Sequence, residues 1–187
     1  GMASLEELTE AVMAARNEGC TNLALLKCTS VYPASSKDSN VLTIPHMRER
    51  FDCEIGLSDH TFGIGAAVAA VALGATLIEK HFTLSRDDGG VDSSFSLEPE
   101  EMKMVTIETK RAWKALGSIH YGPTESEMPA VELRRSVYVV EDIKCGDILT
   151  KDNLRKISPG YGLSPKHYDE LLGLKVNKDV RKGTAMG

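Results

Sequence analysis

Two short apolar segments that each end in a histidine place the strongest constraint on how this chain can fold. Residues 55–60 read IGLSDH, residues 76–81 read TLIEKH, and the Ala- and Val-rich segment 63–74 between them has the length of a helix. This order predicts a strand, a crossover helix and a second strand parallel to the first. His60 and His81 are then expected at the carboxyl edge of the sheet, where parallel α/β folds place their ligand sites.

The neighbouring segments continue this alternation of helices and strands. Residues 5–18 carry apolar side chains at helical spacing behind a Ser-x-x-Glu capping box, which predicts a helix. The apolar run 23–26 predicts a strand buried on both faces, and residues 41–51 predict a short helix. A polar loop at 82–97 and a helix at 98–116 follow the second histidine. This part of the chain is therefore predicted to be α/β with parallel strands.

A different pattern follows residues 118–133, which lack a clear period and are predicted to be a linker. Residues 139–149 are echoed thirty-seven positions later by residues 176–186, with the shared core Asp-(Ile/Val)-(Lys/Arg)-x-Gly. Two copies predict a pseudosymmetric β-rich module whose glycines form turns, since a stacked array needs at least three repeats. The predicted domains are therefore 1–117 and 134–187.

Composition argues against several classes of function. The 187 residues have a net charge of −5 and dispersed basic side chains, so neither nucleic acid nor a membrane is an expected partner. The longest apolar run, 66–73, is too short to span a bilayer. Four cysteines without a CxxC pair indicate reduced thiols, and we expect a cytoplasmic protein.

The two histidines can converge on one divalent metal ion, because neighbouring strands lie about 4.8 Å apart. Two imidazoles leave coordination positions open for water and substrate. The alternative is that each imidazole only makes structural hydrogen bonds, which is the preferred interpretation for a lone histidine. Two histidines at matching strand ends reverse that preference, so His60 and His81 are predicted metal ligands.

Further polar side chains are expected at the same edge. Glu79 and Ser58 share the strand parity of the histidines, whereas Lys80 points to the opposite side. Glu79 is a candidate general base or ligand-orienting group, or it satisfies a buried partner. Ser58 and Ser30 offer hydroxyls for phosphate or carboxylate oxygens, or they cap the following turns. Asp92, in the long loop, either contacts a polyhydroxylated substrate or is merely solvated.

Five stretches carry a resemblance to a known family: CTSVYPAS, GLSDHTFGIG, ALGATLIEKHFTL, GGVDSSFSLEPEE and RRSVYVVEDIKCGDILTKDNLRKISPGYGLSP. Together they resemble the sialic acid synthases, most closely the pseudaminic acid synthase branch, over essentially the whole chain. The resemblance implies the C-terminal portion of a (β/α)8 TIM barrel at 1–117. It also implies a small SAF, or antifreeze-like, β-clip domain at 134–187, within an overall α/β fold class.

Members of this family condense phosphoenolpyruvate with an N-acetylated amino sugar, releasing phosphate. The product is a nine-carbon 2-keto acid such as pseudaminic or N-acetylneuraminic acid. The resemblance implies His60 and His81 as metal ligands and Glu79 as the catalytic carboxylate near the reacting centre. Mn²⁺ or Mg²⁺ is the expected metal, and two imidazoles also accept Co²⁺ or Zn²⁺. A homodimer is implied, in which each SAF domain caps the barrel of the partner.

The resemblance also implies substrate contacts. Ser30 and Ser58 match positions that contact phosphoenolpyruvate, and Tyr32 and Asp92 match positions that contact the sugar. By the family pattern the chain begins after the fifth barrel strand, so we expect strands one to five and their phosphoenolpyruvate-binding lysines to be missing. Ser158 stands where the family usually places an arginine, and serine supplies neither that charge nor that reach.

Two other functions remain open. The chain is alternatively an inactive truncated paralogue or fragment that acts as a binding or oligomerisation module, which the missing strands favour. A metal-dependent aldolase of another family is the second alternative. It would be distinguished by not releasing phosphate from phosphoenolpyruvate.

Overall fold

A three-stranded parallel sheet organises the first of two units, Gly1–Ser118, in a computed structural model that describes all 187 residues. The elements of this unit alternate between helix and strand, as predicted. In chain order they are α1 (Leu5–Asn17), β1 (Ala24–Cys28), α2 (Thr43–Phe51), β2 (Glu54–Asp59), α3 (Gly65–Ala72), β3 (Leu77–Lys80) and α4 (Pro99–Leu116). The strand order is β1-β2-β3, so the predicted strand–helix–strand unit is confirmed.

The register of the sheet decides which side chains become neighbours. Cys28 pairs with Ser58, and Ser58 pairs with Glu79, so these three residues form one row across the strands. One position further along, Asp59 pairs with Lys80, and the β2–β3 ladder ends there. Residues with the same parity lie on the same face of a strand. The row Cys28–Ser58–Glu79 therefore lies on one face and the pair Asp59–Lys80 on the other.

The two faces of the sheet differ in burial. Ile55 and Leu57 are 0% and 2% exposed and belong to the main core of the unit. They pack with buried side chains of the surrounding helices: Val12, Ile44, Met47, Phe51 and Ala70. On the opposite face Leu77 and Glu79 are exposed. The face that carries the predicted site is therefore the more open of the two.

Local sequence signals account for the ends of α1 and α4. Ser4 and Glu7 form the predicted capping box, in which the Glu7 N–H donates to Ser4 Oγ at 3.2 Å. Pro99 occupies the first turn of α4, where its missing N–H costs no helical hydrogen bond. Helix α3 packs on α4 through Ala67 and Val105, which share a small core with Leu97. The loop 82–97 is thereby fixed at its distal end.

The second unit, Ile119–Gly187, is rich in turns and irregular β structure. Its elements are α5 (Met128–Val131), β4 (Ser136–Val139), β5 (Leu154–Ile157) and α6 (Tyr168–Leu171), with β4 antiparallel to β5. The segment predicted as a linker, 118–133, carries the one-turn helix α5. Its end is bonded to this unit, because the Gly160 N–H donates to the Glu132 carbonyl at 2.9 Å.

The two repeat copies bond to each other reciprocally, which confirms the predicted pseudosymmetric module. Ile143 and Val180 each donate a backbone N–H to the carbonyl of the other at 2.9 Å. The aspartate of each copy also accepts a hydrogen bond from the backbone of the other copy. The Cys145 N–H donates to Asp179 Oδ1 at 2.9 Å, and the Lys182 N–H donates to Asp142 Oδ1 at 2.7 Å. These contacts are related by the same thirty-seven-residue offset as the sequences.

The glycine at the end of each repeat core makes a turn, as predicted. Gly146 has φ of 93° and Gly183 has φ of 87°, in the left-handed region that other residues rarely adopt. The Gly146 N–H donates to the Val176 carbonyl, and the Gly183 N–H donates to the Val139 carbonyl, each at 2.8 Å. The same backbone conformation therefore closes the contact between copies at both positions.

Candidate metal and substrate site

A hydrogen-bonded serine–glutamate pair forms the floor of the candidate site. Ser58 Oγ donates to Glu79 Oε1 at 2.7 Å, directly across the β2–β3 ladder. Ser58 is buried, whereas Glu79 is exposed. The bond fixes the carboxylate at the carboxyl edge of the sheet, as the shared parity of the two residues predicts.

The two predicted metal ligands lie side by side beyond this pair. The ring centroids of His60 and His81 are 5.1 Å apart, and the ring planes are at 80° to each other. His60 is buried, and its Nδ1 lies 2.8 Å from the Thr29 carbonyl oxygen. A carbonyl oxygen only accepts, so Nδ1 of His60 carries the proton and Nε2 keeps its lone pair. This is the arrangement in which a second group orients a metal-binding imidazole.

His81 is oriented by a different partner. Its Nδ1 lies 3.4 Å from Asp92 Oδ2, and both side chains are partly exposed. A carboxylate at this position favours the tautomer with the proton on Nδ1, leaving Nε2 of His81 available. Asp92 was assigned to the sugar by resemblance, and the structure brings it next to the imidazole. Whether it also contacts substrate stays a prediction.

The donor set fits a divalent metal ion with most of its coordination sphere open. Nδ1 of each histidine faces an oxygen acceptor, which leaves Nε2 as the candidate ligand atom, while no group of three or more His, Cys, Asp or Glu side chains is arranged as a complete metal site. Two imidazole nitrogens would leave the other positions to water or substrate oxygens. The arrangement therefore suits a metal that meets its substrate directly.

Aromatic rings form one wall of the site. The Tyr32 ring lies 4.2 Å from His60 and 5.7 Å from His81, measured between centroids. Phe95 lies 5.1 Å from His81 and 6.1 Å from Tyr32. Phe95 is buried while Tyr32 is exposed, so Phe95 supports the wall and Tyr32 is the ring that solvent or a ligand can reach.

The end of β1 contributes small polar groups. Ser30 is exposed, and its Oγ lies 3.8 Å from Cys28 Sγ. Cys28 Sγ is in turn 4.0 Å from Nδ1 of His60. The sequence placed the hydroxyls of Thr29 and Ser30 at this edge, but it did not indicate Cys28, Phe95 or the contact between the Thr29 carbonyl and His60. Cys28 shares its strand parity with Ser30, and this pattern could have predicted the thiol at the site. A contact made by a backbone carbonyl, such as that of Thr29, has no pattern in the sequence.

A buried ion pair lies on the opposite face, directly behind the histidines. Lys80 Nζ lies 2.7 Å from Asp59 Oδ2 and donates to the Thr61 carbonyl at 2.8 Å. Asp59 Oδ1 accepts the Thr61 backbone N–H at 2.9 Å. The side chains of Lys80 and Asp59 are only 2% and 1% exposed. The predicted orientation of Lys80 is confirmed, while its partner was not foreseen.

The loop that carries Asp92 and Phe95 is held by an arginine. Arg86 Nε donates to the Ser96 carbonyl at 3.0 Å, and the guanidinium pairs with Glu98 and Glu101 at the start of α4. The backbone N–H of Glu98 lowers the pKa of the Glu101 carboxyl, and Arg86 lowers it further. Ionised Glu101 therefore anchors both the helix and the loop.

Comparison with known proteins supplies the family. Residues 1–121 match the model of the NeuB family, and residues 134–185 match the SAF domain. The chain belongs to the NeuB family. The relatives of this NeuB-family chain include sialic-acid-type synthases, so the resemblance found in the sequence is confirmed. An α/β fold with a NeuB and a SAF domain is likewise established.

Several curated relatives of the NeuB-family chain are similar along nearly all of it. Pseudaminic acid synthase of Campylobacter jejuni is 41% identical over 186 residues, covering 100% of this chain and 54% of the relative. N,N'-diacetyllegionaminic acid synthase of the same species is 38% identical over 97% of this chain and 55% of the relative. Human N-acetylneuraminate-9-phosphate synthase is 38% identical over 83% of this chain and 44% of the relative. The chain thus spans about half the length of the curated relatives it matches.

Solved structures of related proteins share the fold of the NeuB-family chain. The N-acetylneuraminic acid synthetase of Leptospira borgpetersenii aligns with a TM-score of 0.63 at 37% identity, over 71% of this chain and 46% of that one. The spore coat polysaccharide biosynthesis protein spsE of Bacillus subtilis aligns with a TM-score of 0.57 at 31% identity, over 99% of this chain and 57% of that one. No helix of this chain combines the length and apolar character required to cross a bilayer.

Proposed function

We propose that this chain contributes the metal-binding edge of a sialic-acid-type synthase. The enzyme would condense phosphoenolpyruvate with an N-acetylated amino sugar, forming pseudaminic or N-acetylneuraminic acid, or a related nine-carbon 2-keto acid, with release of phosphate. The convergence of His60 and His81, each with Nδ1 facing an oxygen acceptor, next to the Ser58–Glu79 pair carries this proposal. The names of the relatives support the reaction class.

In this proposal the two histidines hold the metal ion, and Glu79 handles protons or substrate hydroxyls. A divalent metal ion held by His60 and His81, Mn²⁺ or Mg²⁺ by family resemblance, would supply Lewis-acid polarisation of the sugar aldehyde towards attack by the alkene carbon of phosphoenolpyruvate. Glu79, two residues before His81 and bonded to Ser58, would serve as a proton acceptor or as an anchor for a substrate hydroxyl. The hydrogen bond from Ser58 holds the carboxylate in one orientation.

Ser58 cannot serve both of its proposed partners at once. Its single hydroxyl proton is donated to Glu79, so a contact with a phosphoenolpyruvate oxygen requires that proton to be redirected. Ser30 is exposed, and its hydroxyl is proposed to contact the same anion. Tyr32, next to His60, and Asp92, next to His81, are proposed to contact the sugar. Phosphoenolpyruvate binding would thus release Glu79 for its own role.

We further propose that the sheet is the C-terminal portion of a (β/α)8 barrel, with a partial barrel at 1–117, a linker at 118–133 and a SAF domain at 134–187. The open face that carries Leu77 and Glu79 supports this, since in a closed barrel it would face the interior. The remaining strands would come from outside these residues. The active form would be a cytoplasmic homodimer in which each SAF domain caps the partner barrel.

Phosphate release tests the proposed function. The chain is incubated with phosphoenolpyruvate, Mn²⁺ and N-acetylated hexoses, including 2,4-diacetamido-6-deoxy sugars, beside the full-length Campylobacter pseudaminic acid synthase. We expect release that requires both the metal and a sugar, and that disappears in His60→Ala and His81→Ala. The matched control is His167→Ala, because His167 lies in the second unit and pairs only with Glu170 on the surface.

The opposite result supports the alternative function. Absence of release while the full-length relative is active would contradict catalysis by this chain and favour a binding or oligomerisation module. Release without metal would contradict the role assigned to the histidines. Consumption of the sugar without phosphate release would indicate an aldolase of another family.

A further inference from the structure

The backbone ladder between β2 and β3 stops immediately before the two histidines. Its last pair is Asp59 with Lys80. The next bridges take the two chains to different partners: Thr61 pairs with Ala34, and Phe82 pairs with Leu97. His60 and His81 therefore lie where the strands begin to diverge. Backbone pairing between β2 and β3 therefore does not by itself fix the 5.1 Å separation of the two rings.

Side chains join the two strand ends at this point. Lys80 extends from β3 and donates to two acceptors that flank His60, the Asp59 carboxylate at 2.7 Å and the Thr61 carbonyl at 2.8 Å. The Asp59 carboxylate also closes a turn by accepting the Thr61 N–H at 2.9 Å. The residue on each side of His60 is thus tied to the residue before His81.

The stability of the sheet does not explain why a charged pair occupies this position. Both side chains are almost completely buried, and a buried ion pair loses hydration that its mutual attraction does not fully return. An apolar pair of similar size often stabilises a core as well or better. What an apolar pair lacks is direction, because only the ammonium and the carboxylate fix the distance between the two strand ends through hydrogen bonds.

We propose that the Lys80–Asp59–Thr61 network is a positioning element that sets the separation and orientation of the His60 and His81 rings. The network touches neither substrate nor metal, and acts through the backbone that carries the two imidazoles. Its importance for metal binding rests on the proposed function. Its effect on the geometry of the two rings does not, so the two can be tested separately.

The test replaces the ion pair by apolar side chains of similar size, in Asp59→Leu/Lys80→Met. The metal-free chain, labelled at histidine, is examined by NMR for the nuclear Overhauser effect between the His60 and His81 ring protons, with assignments from single histidine substitutions. Co²⁺ affinity is measured by calorimetry and by ligand-field absorption. Glu100→Leu/Lys103→Met is the matched control, because it makes the same chemical change at an exposed ion pair on α4.

We expect the double variant to retain its melting transition, lose the ring-to-ring Overhauser effect and bind Co²⁺ about 10- to 100-fold more weakly. The control should match the wild type in all three measurements. An Overhauser effect of wild-type strength in the folded double variant would overturn the proposal. Failure of the wild-type chain to bind Co²⁺ would overturn the proposed function instead, while the Overhauser effect would still decide the positioning role.

A second variant separates positioning from stability. Asp59→Asn/Lys80→Met keeps an acceptor for the Thr61 N–H and removes only the link between the strands. We expect it to lose the Overhauser effect as the first variant does. Unfolding of both variants would assign the network to the stability of the sheet and overturn the proposal.

Discussion

At Gly56 the sheet has no room for a side chain. A Cβ there would lie 2.4 Å from Leu26 Cδ2 and 2.6 Å from the Leu77 carbonyl oxygen, on both neighbouring strands. We therefore expect Gly56→Ala to lower the free energy of unfolding by about 1–3 kcal/mol. Gly65→Ala is the control, since a Cβ at Gly65 meets nothing within 4 Å. Urea denaturation followed by circular dichroism measures both, and equal stability of the two variants would contradict the assignment.

The histidines allow a second prediction at the same scale. His60→Ala and His81→Ala should each abolish tight binding of Mn²⁺ or Co²⁺ while leaving the melting temperature within a few degrees. The reason is that both rings lie at the edge of the sheet and neither belongs to its apolar core. Calorimetry measures the affinity, with His167→Ala as the control. Unchanged affinity in either variant would remove that residue from the metal site.

Strand parity explains which site residues could be predicted. Ser58 and His60 are two residues apart, as are Glu79 and His81, so the period of two places each pair on one face of its strand. The meeting of Asp59 with a lysine of β3 depends on the register between two strands, which no local pattern encodes. The positions of Tyr32 and Asp92 depend on loop conformations. The family resemblance assigned both residues to the site, whereas no local pattern predicts their contacts with the imidazoles.

At the scale of elements, the repeat of the second unit predicts equal responses from its two glycines. Gly146→Ala and Gly183→Ala should each lower the free energy of unfolding by about 1–2 kcal/mol, because an alanine at positive φ is strained. A Cβ would meet no atom within 4 Å at either position, so the cost comes from the backbone alone. Cys145→Ala is the control. Thermal melting that leaves either glycine variant unshifted would contradict the argument.

The contact between the repeat copies also predicts a pH dependence. The hydrogen bond from Lys144, followed by that from the Cys145 N–H, lowers the pKa of the Asp179 carboxyl. Because the unfolded chain then binds the proton more readily, this stabilisation is fully present above about pH 4 and is lost as the pH falls through the lowered pKa. Melting temperatures from pH 6 to pH 2 should fall more steeply for the wild type than for Asp179→Asn. Parallel curves would show that the contact contributes nothing.

Element boundaries were predictable where the segment was long enough to show a period. Helix α4, Pro99–Leu116, has a proline, acidic residues and an apolar stripe that mark it clearly. Helix α5, Met128–Val131, has a single turn and no visible period. It forms because the end of its segment is bonded to residues near Gly160, a contact distant in sequence. Such tertiary contacts decide short helices, and local propensity does not.

At the scale of the whole molecule, the open face of the three-stranded sheet predicts self-association. Leu77 on this face is 46% exposed, and Tyr32, which packs against the two histidines at the carboxyl edge, is also exposed. The edge strands β1 and β3 have unpaired backbone groups as well. We expect light scattering to find dimers or larger species, and Leu77→Lys to shift them towards monomer. Leu133→Lys, at an exposed site of the second unit, is the control, and a monomeric wild type would contradict the prediction.

The reciprocal hydrogen bonds in the second unit have a consequence for the chain connectivity that this unit can tolerate. The Met186 N–H donates to the Val137 carbonyl at 2.9 Å, so the last residues of the unit adjoin its first strand. The two repeat copies exchange equivalent hydrogen bonds, so the same bonds form whichever copy comes first along the chain. A circular permutant that joins the adjoining ends and opens the chain between the copies would therefore specify the same set of contacts.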